Sequence, residues 1–123
     1  MILFDTSVLI AHLRGDERAT QLLLDTPTPD RLASVLTRVE IEGGMRSGER
    51  RSVSSLFGFI RLLPVTDPVA RRAGEMLREY RLSHPGIDLV DYVIAATAEL
   101  HGSRLATLNV KHFPTIPDLA APY

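Results

Sequence analysis

Residues 86–112 read GIDLVDYVIAATAELHGSRLATLNVKH. Asp88 begins a helix whose apolar residues dominate from Asp91 onward, and Gly102 stops it. The run Arg104–Leu108 follows at once as a short buried strand, and Asn109 stands at its end. A helix feeding a strand is half of an α/β unit. The N-terminus repeats the arrangement in reverse: Ile2–Phe4 is strand-like, Asp5 ends it, and Thr6–Leu13 continues as a helix closed by Gly15.

Working inward, a second helix covers about Glu17–Asp25 and stops at the breaker TPTPD, where two prolines forbid continuation. Leu32–Leu36 is a second strand. Thr37 opens a third helix reaching about Ser47 and Gly48, and Thr37-Arg-Val-Glu40 has capping-box form. Val53, Leu56, Phe57 and Ile60 recur at helical spacing. Leu62–Thr66 is a third strand, and Asp67-Pro68 starts a helix with Asp as N-cap. Ile116–Leu119 is a candidate fifth strand that Pro117 confines to an edge. The expectation is one α/β domain over residues 1–123, with a central parallel sheet of four to five strands and helices on both faces.

In such a sheet the C-terminal strand ends share one crevice. Asp5, Glu40 and Asn109 follow apolar runs, and Asp91 sits near the start of its helix. Each acid also has a local explanation: Asp5 as an N-cap, Glu40 as the capping-box partner of Thr37, Asp88 as an N-cap and Asp91 as its N3 partner. Jointly they suggest something else. Carboxylates packed in one crevice repel unless a cation joins them, as at a Mg²⁺ or Mn²⁺ site for phosphodiester hydrolysis. Asp5, Glu40, Asp91 and Asn109 are therefore the candidate catalytic residues. Asp5, Asp91 and Glu40, with Asp88 as an addition, are the candidate metal ligands.

Other chemistries lack their marks. The sequence has no P-loop, no G-x-G-x-x-G and no G-x-S-x-G, and His12, His84, His101 and His112 show no metal-ligand spacing. Cysteine is absent, which removes disulfide and thiolate-zinc frameworks. No run is long enough to cross a bilayer, and no basic segment precedes the first apolar stretch, so a cytoplasmic protein is expected. Formal net charge is −1, but setting aside Asp5, Glu40, Asp88 and Asp91 leaves 14 basic against 11 acidic residues. The remaining surface, with its run Arg46-Ser-Gly-Glu-Arg50-Arg51, permits RNA binding.

The stretches ILFDTSVLI, ASVLTRVEIEGG, LLPVTDPVARRAGEMLREYR and GIDLVDYVIAATAELHGSRLATLNVKHF together resemble the PIN-domain nucleases, and specifically VapC-type toxins of bacterial toxin–antitoxin pairs. The resemblance spans essentially the whole chain. It implies strand order 3-2-1-4-5 and a Mg²⁺- or Mn²⁺-dependent endoribonuclease cleaving RNA with a metal-activated water. It also implies a small VapB-like antitoxin as partner, and such relatives usually form homodimers. Asp5, Glu40 and Asp91 match the family's acidic metal-site residues. Asn109 takes a position where relatives carry Asp or Asn, and His112 stands where many carry Asp. Thr6, Ser7, Thr107, His112 and Arg46 are candidate substrate contacts. The competing reading is a catalytically silent PIN domain acting as a binding or scaffold module.

A partner surface is also expected. Leu22, Leu23 and Leu24 are consecutive and span about 200° of helix surface, more than one buried stripe covers. Phe59 likewise lies off the stripe of its own helix. A groove near these two helices is the expected antitoxin site.

Overall fold

Alternation along four short strands sets a two-sided core. In the computed structural model, which describes all of Met1–Tyr123, these are β1 (Ile2–Phe4), β2 (Arg31–Ser34), β3 (Arg61–Leu63) and β4 (Arg104–Ala106). They form one sheet in the order β3-β2-β1-β4, with every pairing parallel. Leu3, Leu32, Leu63 and Leu105 point to one face. Their neighbours Phe4, Ala33 and Ala106 point to the other.

The leucine face is covered by α5 (Asp67–Tyr80) and α6 (Leu89–Leu100), which contribute Val69, Ala73, Met76 and the run Tyr92–Ala96 to one cluster. The opposite face is covered by α1 (Thr6–Leu13), α2 (Glu17–Asp25), α3 (Val35–Gly44) and α4 (Arg50–Gly58). These supply Val8, Leu9, Ala19, Leu23, Ile41, Val53 and Leu56. Parallel strands need crossover connections, and helices on both faces are the result. Every residue from Tyr92 to Ala98 is buried, so α6 is a core helix. Its buried run places Asp91 just at the rim. No helix is long and apolar enough to cross a membrane.

Several boundaries differ from the sequence expectation, each for a local reason. β2 ends at Ser34, whose hydroxyl accepts from the Leu36 N–H at 3.1 Å and caps α3. Thr37 and Glu40 are thus not a capping box; Thr37 lies inside the helix and is fully buried. α3 stops at Gly44, before Ser47 and Gly48. β3 ends at Leu63 because Pro64 has no N–H for the ladder. Thr66, not Asp67, caps α5 by accepting from Val69 N–H. The fifth strand of the 3-2-1-4-5 expectation does not form. Pro117 lacks a donor, and Asp118 sits at φ +60°, a left-handed conformation that ends any extended run. β4 is therefore the edge.

Candidate active site

Each polar residue of interest sits where an apolar element stops. The chain leaves β1 at Asp5, which holds the N-cap position of α1 but makes no capping bond. Its carboxylate turns to two hydroxyls instead. Ser7 Oγ donates to Oδ2 at 2.8 Å, and Thr107 Oγ1 donates to the same oxygen at 2.7 Å. Asp5 is only 3% exposed. Oδ1 takes no hydrogen bond from the protein, yet it is not sealed from solvent.

The next residue secures Glu40. Thr6 Oγ1 donates to Glu40 Oε1 at 2.6 Å and lies 3.1 Å from the buried Thr37 hydroxyl. Adjacent residues of one strand end, Asp5 and Thr6, thus hold two of the acids. Glu40 is itself exposed near the middle of α3.

Asp91 lies in the first turn of α6, where the helix dipole favours negative charge. Its Oδ2 is 3.0 Å from His112 Nδ1. Burial raises the Asp91 pKa above the usual carboxylate range, and the neighbouring Asp5 charge raises it further. The His112 contact and the Asp88 backbone act in the opposite direction. Thr107 bonds Asp5 and His112 bonds Asp91, so one short segment after β4 touches both carboxylates.

Other candidates stand further out. Asp88 is exposed and occupies the α6 N-cap position without a side-chain bond. The Asn109 side chain makes no protein hydrogen bond, while its backbone N–H donates to Thr107 Oγ1 at 2.9 Å. Arg46 lies between α3 and α4; its N–H bonds to Glu49 and its guanidinium joins no ion pair. The structure turns the hydroxyls of Thr6, Ser7 and Thr107 onto the acids. Thr37 is a member of this network that sequence reasoning assigned to a cap.

No three acidic or imidazole groups approach closely enough to enclose a cation by themselves. The donor set nonetheless suits Mg²⁺ or Mn²⁺. It offers hard oxygens from two carboxylates, Asp5 and Asp91, one of them with an uncommitted oxygen. Mg²⁺ commonly takes one or two carboxylates and fills its other positions with water.

The PIN domain family model matches residues 2–118. The chain is 50% identical over its full length to ribonuclease VapC10 of Mycobacterium tuberculosis, covering 93% of that protein. It is 42% identical to ribonuclease VapC19 of the same organism, with all of both chains covered. A chain in a toxin–antitoxin complex from Klebsiella pneumoniae superposes with a TM-score of 0.84 at 29% identity, over all of this chain and 98% of that one. The chain belongs to the PIN domain family and, within it, to the VapC-type ribonucleases.

Proposed function

We propose that this protein is a Mg²⁺- or Mn²⁺-dependent endoribonuclease and the toxin of a toxin–antitoxin pair. The observation that carries the reading is the pair Asp5–Asp91: both carboxylates are bonded by the segment Thr107–His112, and Asp5 Oδ1 is free of protein bonds. The relatives' names, ribonuclease VapC10 and VapC19, support the activity. Asp5 and Asp91 would hold a divalent cation, which would supply positive charge against the phosphoryl oxygens and lower the pKa of water near it. Glu40, fixed through Oε1 by Thr6, has Oε2 left to orient the attacking water and accept its proton. His112 is held at the mouth by Asp91, and the exposed Asn109 amide is available to substrate oxygens. Attack by water on phosphorus leaves a 5′-phosphate and a 3′-hydroxyl. The silent-module reading gains no support, because a scaffold has no need for repelling carboxylates in one cleft.

The partner in this reading is a small antitoxin, in line with the toxin–antitoxin complex that the fold matches. Between α1 and α4 runs an open, mostly polar groove lined by His12, Ser52, Ser54, Ser55, Arg50 and Arg51, with Leu13, Leu56 and Phe59 as its apolar contacts. A second pocket joins Ile10, Leu13, Met45 and Val53 to Glu40 itself. An apolar antitoxin side chain seated at this small pocket would lie beside Glu40. Leu24 is 61% exposed on α2 but does not line either pocket. A homodimer belongs to the same reading.

The test is cleavage of a single-stranded RNA by the purified protein. Activity should vanish in chelator, return with Mg²⁺ or Mn²⁺, and be absent in Asp5→Asn. Equal cleavage by wild type and Asp5→Asn would point to a contaminating nuclease and end the proposal.

A further inference from the structure

Two hydroxyls converge on a single oxygen of Asp5, and both are themselves oriented by backbone amides. Leu108 N–H donates to Ser7 Oγ at 3.0 Å, and Ser7 donates onward to Asp5 Oδ2 at 2.8 Å. Asn109 N–H donates to Thr107 Oγ1 at 2.9 Å, and Thr107 donates onward to the same Oδ2 at 2.7 Å. A hydroxyl has one proton and two lone pairs. When an amide N–H approaches the oxygen, the hydroxyl proton is left for another acceptor, and here both protons go to Asp5. The 3.4 Å separation between the two hydroxyls is then a contact without a proton of its own.

We propose that Ser7 and Thr107 are positioning residues that saturate Asp5 Oδ2, lock the carboxylate's rotation and reserve Oδ1 as the single oxygen offered to a divalent cation. The inference rests on the metal-dependent reading above and deepens it. Three features support it. Hydrogen bonds to an ionised acceptor are the strong ones, so two on one oxygen hold the plane of the carboxylate. Oδ1 lacks a protein partner but reaches solvent, although the residue as a whole is 3% exposed. The donors come from two places, the first turn of α1 and the segment after β4, so Asp5 is braced from both sides. A consequence follows for the loop carrying Asn109. Its amides at Leu108 and Asn109 are held to the metal-site carboxylate through one intervening hydroxyl each, so that loop and the site keep a common geometry.

A purely structural role predicts that deleting either hydroxyl lowers stability and leaves metal affinity alone. The positioning role predicts the reverse emphasis, because groups that orient a ligand typically alter affinity by about 10–100-fold. Mn²⁺ binding is measured by electron paramagnetic resonance on the whole chain without RNA, for wild type, Ser7→Ala, Thr107→Val and Thr107→Ser. Circular dichroism melting identifies which variants fold. The expected result is a Mn²⁺ dissociation constant raised about tenfold in Ser7→Ala and in Thr107→Val, with Thr107→Ser within about twofold of wild type. Ser7→Ala changes a half-buried surface side chain, so it decides the matter if the buried Thr107→Val does not fold. Wild-type Mn²⁺ affinity in a folded Ser7→Ala or Thr107→Val overturns the inference and leaves the ribonuclease reading standing. Failure of the wild type itself to bind Mn²⁺ overturns both.

Discussion

Replacing Asp91 by Asn should make the metal-free protein more stable, even though it removes a hydrogen-bonded acid. Like charges 4 Å apart repel by about 4 kcal/mol at an effective dielectric near 20, and by about 1 kcal/mol in water. The Asp91 side chain is 15% exposed, so the Asp5 charge that helps raise its pKa is only partly screened by water. After screening by salt, about 1–2 kcal/mol is the working value. The opposing loss is the contact with His112, whose side chain is 45% exposed. Exposed pairs are worth about 0–1 kcal/mol, and the Asn carbonyl still accepts from a ring N–H. Relief of repulsion wins, by roughly 1 kcal/mol, or about 3–5 °C in melting temperature for a domain of this size. The pH dependence carries the same sign. Burial, then the Asp5 charge, raises the folded Asp91 pKa above 3.8. The folded state therefore binds that proton more tightly, and chelated wild type gains stability as pH falls through the raised value towards 3.8. Asp91→Asn lacks that gain. Adding Mn²⁺ should invert the order, since ligand at about 100 times its dissociation constant stabilises by about 2.7 kcal/mol and the variant binds it poorly. Scanning calorimetry in EDTA and in Mn²⁺ reads both effects. An Asp91→Asn protein that melts below wild type in EDTA would refute the repulsion.

Other outcomes follow from the packing and the caps. Leu23→Ala should destabilise by about 2–5 kcal/mol and Leu24→Ala by under about 0.5 kcal/mol, because Leu23 is fully buried and Leu24 is not; similar denaturant midpoints would contradict the assigned helix face. Ser34→Ala should lower stability by about 0.5–2 kcal/mol through loss of the α3 cap, and an unchanged urea midpoint would return the capping role to another residue. Burial lowers the His12 pKa from 6.5, so the folded state resists protonation and stability should drop as pH falls below 6.5. His12→Gln should flatten that drop, and equal pH profiles would count against it. Ile10→Glu, at an exposed position beside Glu40, should weaken binding of the proposed antitoxin while leaving the melting temperature unchanged, and unchanged affinity would count against this pocket as the contact.

Elements with a clean apolar run and an unambiguous stop were legible in the sequence. Ile2–Phe4, Thr6–Leu13 and Glu17–Asp25 emerged with those bounds, since Asp5, Gly15 and the Pro-containing breaker punctuate them. Short strands edged by ambiguous residues were not. Val65 and Thr66 have strand-forming side chains, but Pro64 already ends the ladder, and the left-handed Asp118 has no signature distinguishing it from an extended residue. Ser34 and Thr37 both offer a cap hydroxyl; which one is used depends on where the chain leaves the sheet, a tertiary fact. Strand ends told where the acids stand. The hydroxyl scaffold did not show, because Ser7 and Thr107 lie 100 residues apart and meet only through the β1–β4 pairing. The Asp-x-Ser spacing at Asp5 and Ser7 was the one available signal.

The most direct test of the two-carboxylate mechanism is RNA cleavage in ¹⁸O-labelled water with Mg²⁺ present, followed by mass spectrometry of the fragment ends. Direct attack of water on phosphorus predicts one ¹⁸O in each new 5′-phosphate, an unlabelled 3′-hydroxyl, and no product in chelator or with Asp5→Asn. Fragments ending in a 2′,3′-cyclic phosphate, or unlabelled 5′-hydroxyl ends formed equally well in chelator, would contradict it.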